Sequence, residues 1–162
     1  MSEMIFVLDC DGVLSDGRFF YNKDGKFIKC YGSDDWDLIK DIKEFIPVVF
    51  ITADKKGFSI TEKRIVSEMG WELHMVSHYP KERWEWMKNK FPDKKIIYMG
   101  DGCYDFFALE NCFFGITTKD ALEHVKDVAD FITKRSGGDR AVAEACIHLM
   151  GRFNFDWKVK YV

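Results

Sequence analysis

Asp9 and Asp11 stand two residues apart at the end of the apolar run 4–8, with Gly12 directly after them. Side chains two apart on an extended chain face the same side, and a glycine lets the backbone turn close to whatever they hold. Alone, Asp-x-Asp-Gly reads equally as a strand running into an Asx turn. A second arrangement changes that reading: Gly100-Asp101 closes the apolar run 95–99, and Asp105 follows at the start of a helical pattern. If the two runs are strands of one parallel sheet, Asp9, Asp11, Asp101 and Asp105 converge on one edge. Each pair of like charges about 4 Å apart costs on the order of 4 kcal/mol at an effective dielectric of about 20, and a bound dication reverses the sign. Oxygen donors with neither His nor Cys among them select Mg²⁺ over zinc. Thr52, closing the run 48–52, offers a hydroxyl to a phosphate oxygen. Lys81, opening a helical segment, offers an ammonium to both phosphate and a carboxylate nucleophile.

These residues need elements to carry them. Short β-prone runs recur at 4–8, 48–52, 72–76, 95–99 and 113–116, separated by segments whose apolar residues fall at helical spacing: Trp36, Leu38, Ile39, Ile42 and Phe45; Ile60, Ile65, Val66 and Met69; Trp84, Met87 and Phe91. Strand alternating with helix predicts an α/β fold, a doubly wound parallel sheet of Rossmann type. Ligands of such sheets gather beyond the carboxyl ends of the strands. Around Asp24-Gly25, two aromatic-rich runs over 18–31 predict a β-hairpin inserted after the first strand. Gly137-Gly138 reads as a loop feeding a last helix over 140–150, with Arg140 placed to meet an anion from the ligand side. In the tail, 152–162, apolar odd positions alternate with polar even ones, the pattern of a strand with one wet face.

The chain of 162 residues shows no linker or repeat and is read as one domain, 1–162. Its 24 basic and 27 acidic residues leave a net charge of -3, with no basic block to track nucleic acid. Five cysteines without a Cys-x-x-Cys pair fit a reducing cytoplasm. No apolar run approaches the length of a membrane span.

Asp9-x-Asp11-Gly12-Val13, Thr52, Lys81 and Gly100-Asp101 with Asp105, in that order, resemble the four motifs of haloacid dehalogenase superfamily phosphatases. More narrowly, Asp16-Gly17 before a hairpin and the late Gly137-Gly138-Asp-Arg-Ala-Val-Ala-Glu144 are similar to the 3-deoxy-manno-octulosonate 8-phosphate phosphatase group. The resemblance implies a hydrolase in which Asp9 is the nucleophile and forms an aspartyl-phosphate. It implies that Asp11 is the general acid and base, with a pKa raised by burial and neighbouring carboxylates. Mg²⁺ would be bound by Asp9, the Asp11 carbonyl and Asp101, while Asp105 holds metal waters or Lys81 from behind. Gly12, Ala53, Lys55 and Arg140 would flank the substrate, an eight- or nine-carbon sugar acid phosphate. With no large cap, the aromatic hairpin would join copies into a homo-tetramer.

Two positions depart from the group. Ala53-Asp54 replaces its Gly-Arg, so that Lys55 or Lys56 has to restore positive charge, and Gly102 replaces an outer carboxylate. Those departures admit a second reading, a binding or oligomerisation module that has kept the fold without the activity. A phosphoacceptor receiver domain is a third, although no Asp follows the third strand run at Val76-Ser77.

Overall fold

The computed structural model describes residues 3–155. From the N-terminus, β1 (Met4–Asp9) leads into an antiparallel hairpin, β2 (Ser15–Asn22) and β3 (Gly25–Tyr31), then α1 (Asp35–Ile42), β4 (Val48–Thr52) and α2 (Phe58–Glu62). There follow β5 (Leu73–Met75), α3 (Pro80–Lys90), β6 (Lys95–Met99), α4 (Phe106–Asn111), β7 (Phe114–Thr117), α5 (Glu123–Lys126), β8 (Phe131–Ile132) and α6 (Ala141–Arg152). Six strands form one parallel sheet in the order β5-β4-β1-β6-β7-β8. The chain first builds outward from β1 through β4 to β5, then crosses to β6 on the other side, so the switch point lies at β1.

Both faces of the sheet are covered, which is why its strands are continuously apolar. Phe6 and Leu8 of β1 point toward α1 and α6 and join Ile39, Ile42, Cys146 and Leu149. Their neighbours Ile5 and Val7 point the other way, toward Met87 of α3, Leu109 of α4 and Val125 of α5. The five predicted strands and the hairpin are all present, the hairpin beginning at Ser15, earlier than position 18. Sequence periodicity missed β8, which has only two residues, and α5, which has four.

After α2 the helix widens into a π-helical stretch, Lys63–Glu68, where the Met69 N–H donates to the Arg64 carbonyl five residues back. Such a turn suits the five-residue step between Ile60 and Ile65. At the C-terminus α6 runs through Arg152, and Phe155 stacks on Phe45 with ring centroids 4.7 Å apart. The rest of the predicted tail strand, 156–162, lies outside the described residues.

Asp35, at the start of α1, ties that helix to α6. It is buried, and its Oδ1 accepts the Ala143 N–H at 2.8 Å, supplying the bond that the helix's own N-cap side chain does not make. Its other oxygen is buried without a hydrogen-bond partner. Burial, offset in part by the Ala143 bond, pushes the Asp35 carboxyl from 3.8 up to about 6. Between those values the folded chain keeps a proton that the unfolded chain releases, so stability falls as pH rises through the window and is flat above it. Asp35→Asn keeps the acceptor and removes the titration. The stability difference between native protein and variant, measured by urea unfolding, is expected to fall by on the order of 2–3 kcal/mol between pH 4 and 6.5. A difference constant with pH would refute this.

Candidate active site

The carboxyl edge at the switch point opens into a cleft of about 370 Å³ lined by Asp9, Asp11, Thr52, Ala53, Asp101 and Asp105, together with residues of the hairpin. Asp9 is the last residue of β1, pairing with Ile51 of β4, and Asp101 lies two residues beyond the end of β6. One carboxylate oxygen from each of Asp9, Asp101 and Asp105 falls within 4.8 Å of the others. Gly12, at φ +85°, is where β1's loop passes this group, and any Cβ there would overlap the Asp101 carboxylate. Gly138, at φ +67°, brings the late loop against Ser15 and Asp16, its N–H donating to the Val13 carbonyl at 3.1 Å. The double glycine therefore buttresses the Asp9–Gly12 loop as well as feeding α6.

Asp105 is saturated. Its Oδ2 accepts the backbone N–H groups of Asp101 at 3.1 Å and Gly102 at 2.9 Å. Its Oδ1 accepts the Tyr98 hydroxyl at 2.5 Å and the Arg83 guanidinium. Asp9 and Asp101 are left to face a ligand. Burial, then the charge of Asp105, raises the Asp9 pKa well above 3.8, with Arg83 pulling the other way. Burial and Asp105 likewise push Asp101 up to about 8. Two oxygen donors whose ionised forms are disfavoured where they stand suit a hard dication, whose charge would stabilise both. Thr52 is buried, and its hydroxyl accepts the Asp54 N–H at 3.1 Å, which leaves its proton to donate.

Several sequence expectations need correction. Lys81 does not join the site: it is exposed, its ammonium stands 5.8 Å from the Phe107 ring centroid, and it lines a separate apolar pocket. The buried cation is Arg83, which meets Asp9 at 3.6 Å, Asp105, and the Ser77 carbonyl at 3.3 Å. Asp105 accordingly holds Arg83, not Lys81. Asp11 is not surrounded by acids alone, because Lys29 of β3 meets its carboxylate at 2.8 Å. Lys55 is exposed and does not line the cleft; it is Lys26 and Lys29, from the hairpin, that answer Asp54, at 2.5 and 2.8 Å. Arg140 is exposed, pairs with Asp34, and lines a different pocket, so it meets no group of this cleft. His78, given no role from sequence, lines the mouth with Tyr104, their ring centroids 5.8 Å apart.

A search against protein-family models finds no match. The curated 3-deoxy-D-manno-octulosonate 8-phosphate phosphatase KdsC of Haemophilus influenzae is 27% identical over 141 residues, covering 85% of this chain and 77% of its own length. The crystal structure of the corresponding phosphatase from Moraxella catarrhalis, in complex with magnesium, phosphate and KDO, superposes with a TM-score of 0.83. It is 26% identical, over 98% of this chain and 93% of that one. In sequence and in fold the chain is similar to phosphatases of the haloacid dehalogenase superfamily. A Legionella pneumophila structure assigned to the same superfamily (subfamily III A) shares the fold, with a TM-score of 0.81 at 24% identity over 94% of this chain and 85% of its own. At Gly102 the main-chain N–H donates to Asp105 Oδ2 at 2.9 Å.

The exchange of Lys81 for Arg83 is open to test. Arg83→Met leaves Asp105 and Asp9 buried without their cation and is expected to cost roughly 3–5 kcal/mol of stability and about a hundredfold in kcat/KM for phosphate release. Lys81→Ala should stay within about 0.5 kcal/mol of the native protein, as surface substitutions do. Thermal melts and a phosphate-release assay read both, and the reverse ranking would restore Lys81.

Proposed function

We propose that this chain is a Mg²⁺-dependent phosphomonoester hydrolase that works through an aspartyl-phosphate on Asp9. Its substrate in this reading is a sugar phosphate of the eight- or nine-carbon sugar-acid type. The observation that carries the chemistry is the meeting of the Asp9, Asp101 and Asp105 oxygens within 4.8 Å at the sheet's switch point. The similarity to KdsC proteins supports the substrate class.

Asp9 and Asp101, with the Asp11 carbonyl, are the groups that would hold Mg²⁺, which supplies positive charge against both the carboxylates and an incoming phosphate dianion. An Asp9 carboxylate oxygen attacks phosphorus, and the bond to the sugar oxygen breaks with its electron pair. Asp11 gives that oxygen a proton, then takes one from the water that attacks the acyl phosphate, releasing inorganic phosphate and restoring Asp9. Thr52 donates to a phosphate oxygen, and Arg83 steadies Asp9 and the charge beside it.

The hairpin's exposed Phe20, Tyr21, Phe27 and Ile28 support assembly through this ribbon, read here as a homo-tetramer. Five free cysteines support a reducing compartment, read here as the cytoplasm.

The test is phosphate release from a panel of monoesters. Activity should vanish with EDTA and return with Mg²⁺, and Asp9→Asn should lower kcat by at least about a thousandfold. Wild-type protein that turns over no monoester would favour the inactive module instead, and stable stoichiometric phosphorylation would favour the receiver.

A further inference from the structure

Asp54 places an acidic group on the cleft wall, yet the wall is not left acidic. Two lysines of β3 reach it, and a bulge in the hairpin is what lets them. Phe20 pairs with Ile28 and Tyr21 with Lys26, so one step along β2 answers two along β3, and Phe27 is the extra residue. Side chains three apart on a regular strand face opposite sides; the bulge turns Lys26 onto the side of Lys29. Gly57 leaves the space they occupy, since a Cβ there would overlap the Asp54 carboxylate and come within 2.7 Å of the Lys26 stem and 2.8 Å of the Lys29 stem.

The two ammoniums differ in what they have left to give. Lys29 spends its three N–H groups on Asp11 at 2.9 Å, Asp54 at 2.8 Å and Thr61 at 2.7 Å. Lys26 makes one such bond, to Asp54 at 2.5 Å, and its Nζ lies 3.3 Å from the centroid of the Phe19 ring. Its side chain is only 4% exposed, yet it lines the same cleft as Asp9 and Asp101. A desolvated ammonium with two N–H groups unspent and an aromatic face against it is poised for an oxyanion. Asp54, held ionised with its pKa lowered to about 2 because the lysine hydrogen bonds outweigh burial, works as its anchor.

Resting on the phosphatase reading above, we propose that Lys26 is a specificity-determining residue whose ammonium, oriented by Asp54 and Phe19, binds the carboxylate of a phosphorylated sugar acid while the phosphate sits at Asp9.

The experiment compares 3-deoxy-manno-octulosonate 8-phosphate with glucose 6-phosphate, which lacks the carboxylate. The ratio of kcat/KM for acid over neutral ester should exceed one in the native protein. In Lys26→Met, which keeps the apolar stem, it should collapse by at least about tenfold, chiefly through KM. Lys26→Arg should retain most of it. A merely structural Lys26 would lower both substrates alike and leave the ratio unchanged, which overturns the proposal, as does a native ratio of one. Calorimetric affinities for the same two esters, taken on Asp9→Asn with and without Lys26→Met, give the answer independently of turnover. A carboxylate preference lost with Lys26 there supports the assignment even if the proposed hydrolysis fails, and equal affinities refute it even if hydrolysis is confirmed.

Discussion

Crowding of carboxylates at one end of a parallel sheet is the constraint around which this molecule is arranged. Asp9, Asp101 and Asp105 are brought within a few ångströms of each other by the ends of β1 and β6 and the turn before α4, and their mutual repulsion has to be met from elsewhere. Arg83 meets part of it from beneath, and the planar guanidinium is suited to the task because its several donors reach Asp9, Asp105, Tyr98 and the Ser77 carbonyl together. A lysine would reach fewer of them at once. What Arg83 leaves uncompensated is concentrated on the two acids that face the cleft, and a dication held there would offset it.

Much of this was legible in the chain. Strands buried on both faces announce themselves as short continuous apolar runs, and acids that terminate two such runs must share an edge if the sheet is parallel. The cation was not legible in the same way. Lys81 occupies the position that the motif order recommends, but residues two apart on a helix project to nearly opposite sides. Arg83 lies four residues before the buried Met87, on the stripe that faces the sheet, whereas Lys81 lies off it. That spacing was the available signal, and the motif order outweighed it.

Other departures have a similar cause, a local geometry that periodicity does not encode. Two-residue β8 and four-residue α5 are too short to carry a period. The bulge at Phe27 breaks strand alternation and so conceals that Lys26 and Lys29 face together. Asp54 consequently looked like a charge reversal when read with its chain neighbours, Lys55 and Lys56. Its real partners stand 28 and 25 residues earlier, on an element whose only covalent link to β4 runs through α1.

The hairpin thus has two faces with opposed demands. Its inner side carries ammoniums that pack on Asp54, Asp11 and Thr61, and this ionic seat fixes the ribbon over the cleft. Its outer side shows rings to solvent. A two-stranded ribbon has little stability of its own, so the seat must exist before the outer rings can present a defined surface to anything else. The same buried Lys29 that braces Asp11 also holds the ribbon down, and burial, which would discharge it, is outweighed by the two carboxylates it joins. Through Lys29, the position of the insertion and the position of Asp11 are tied to each other.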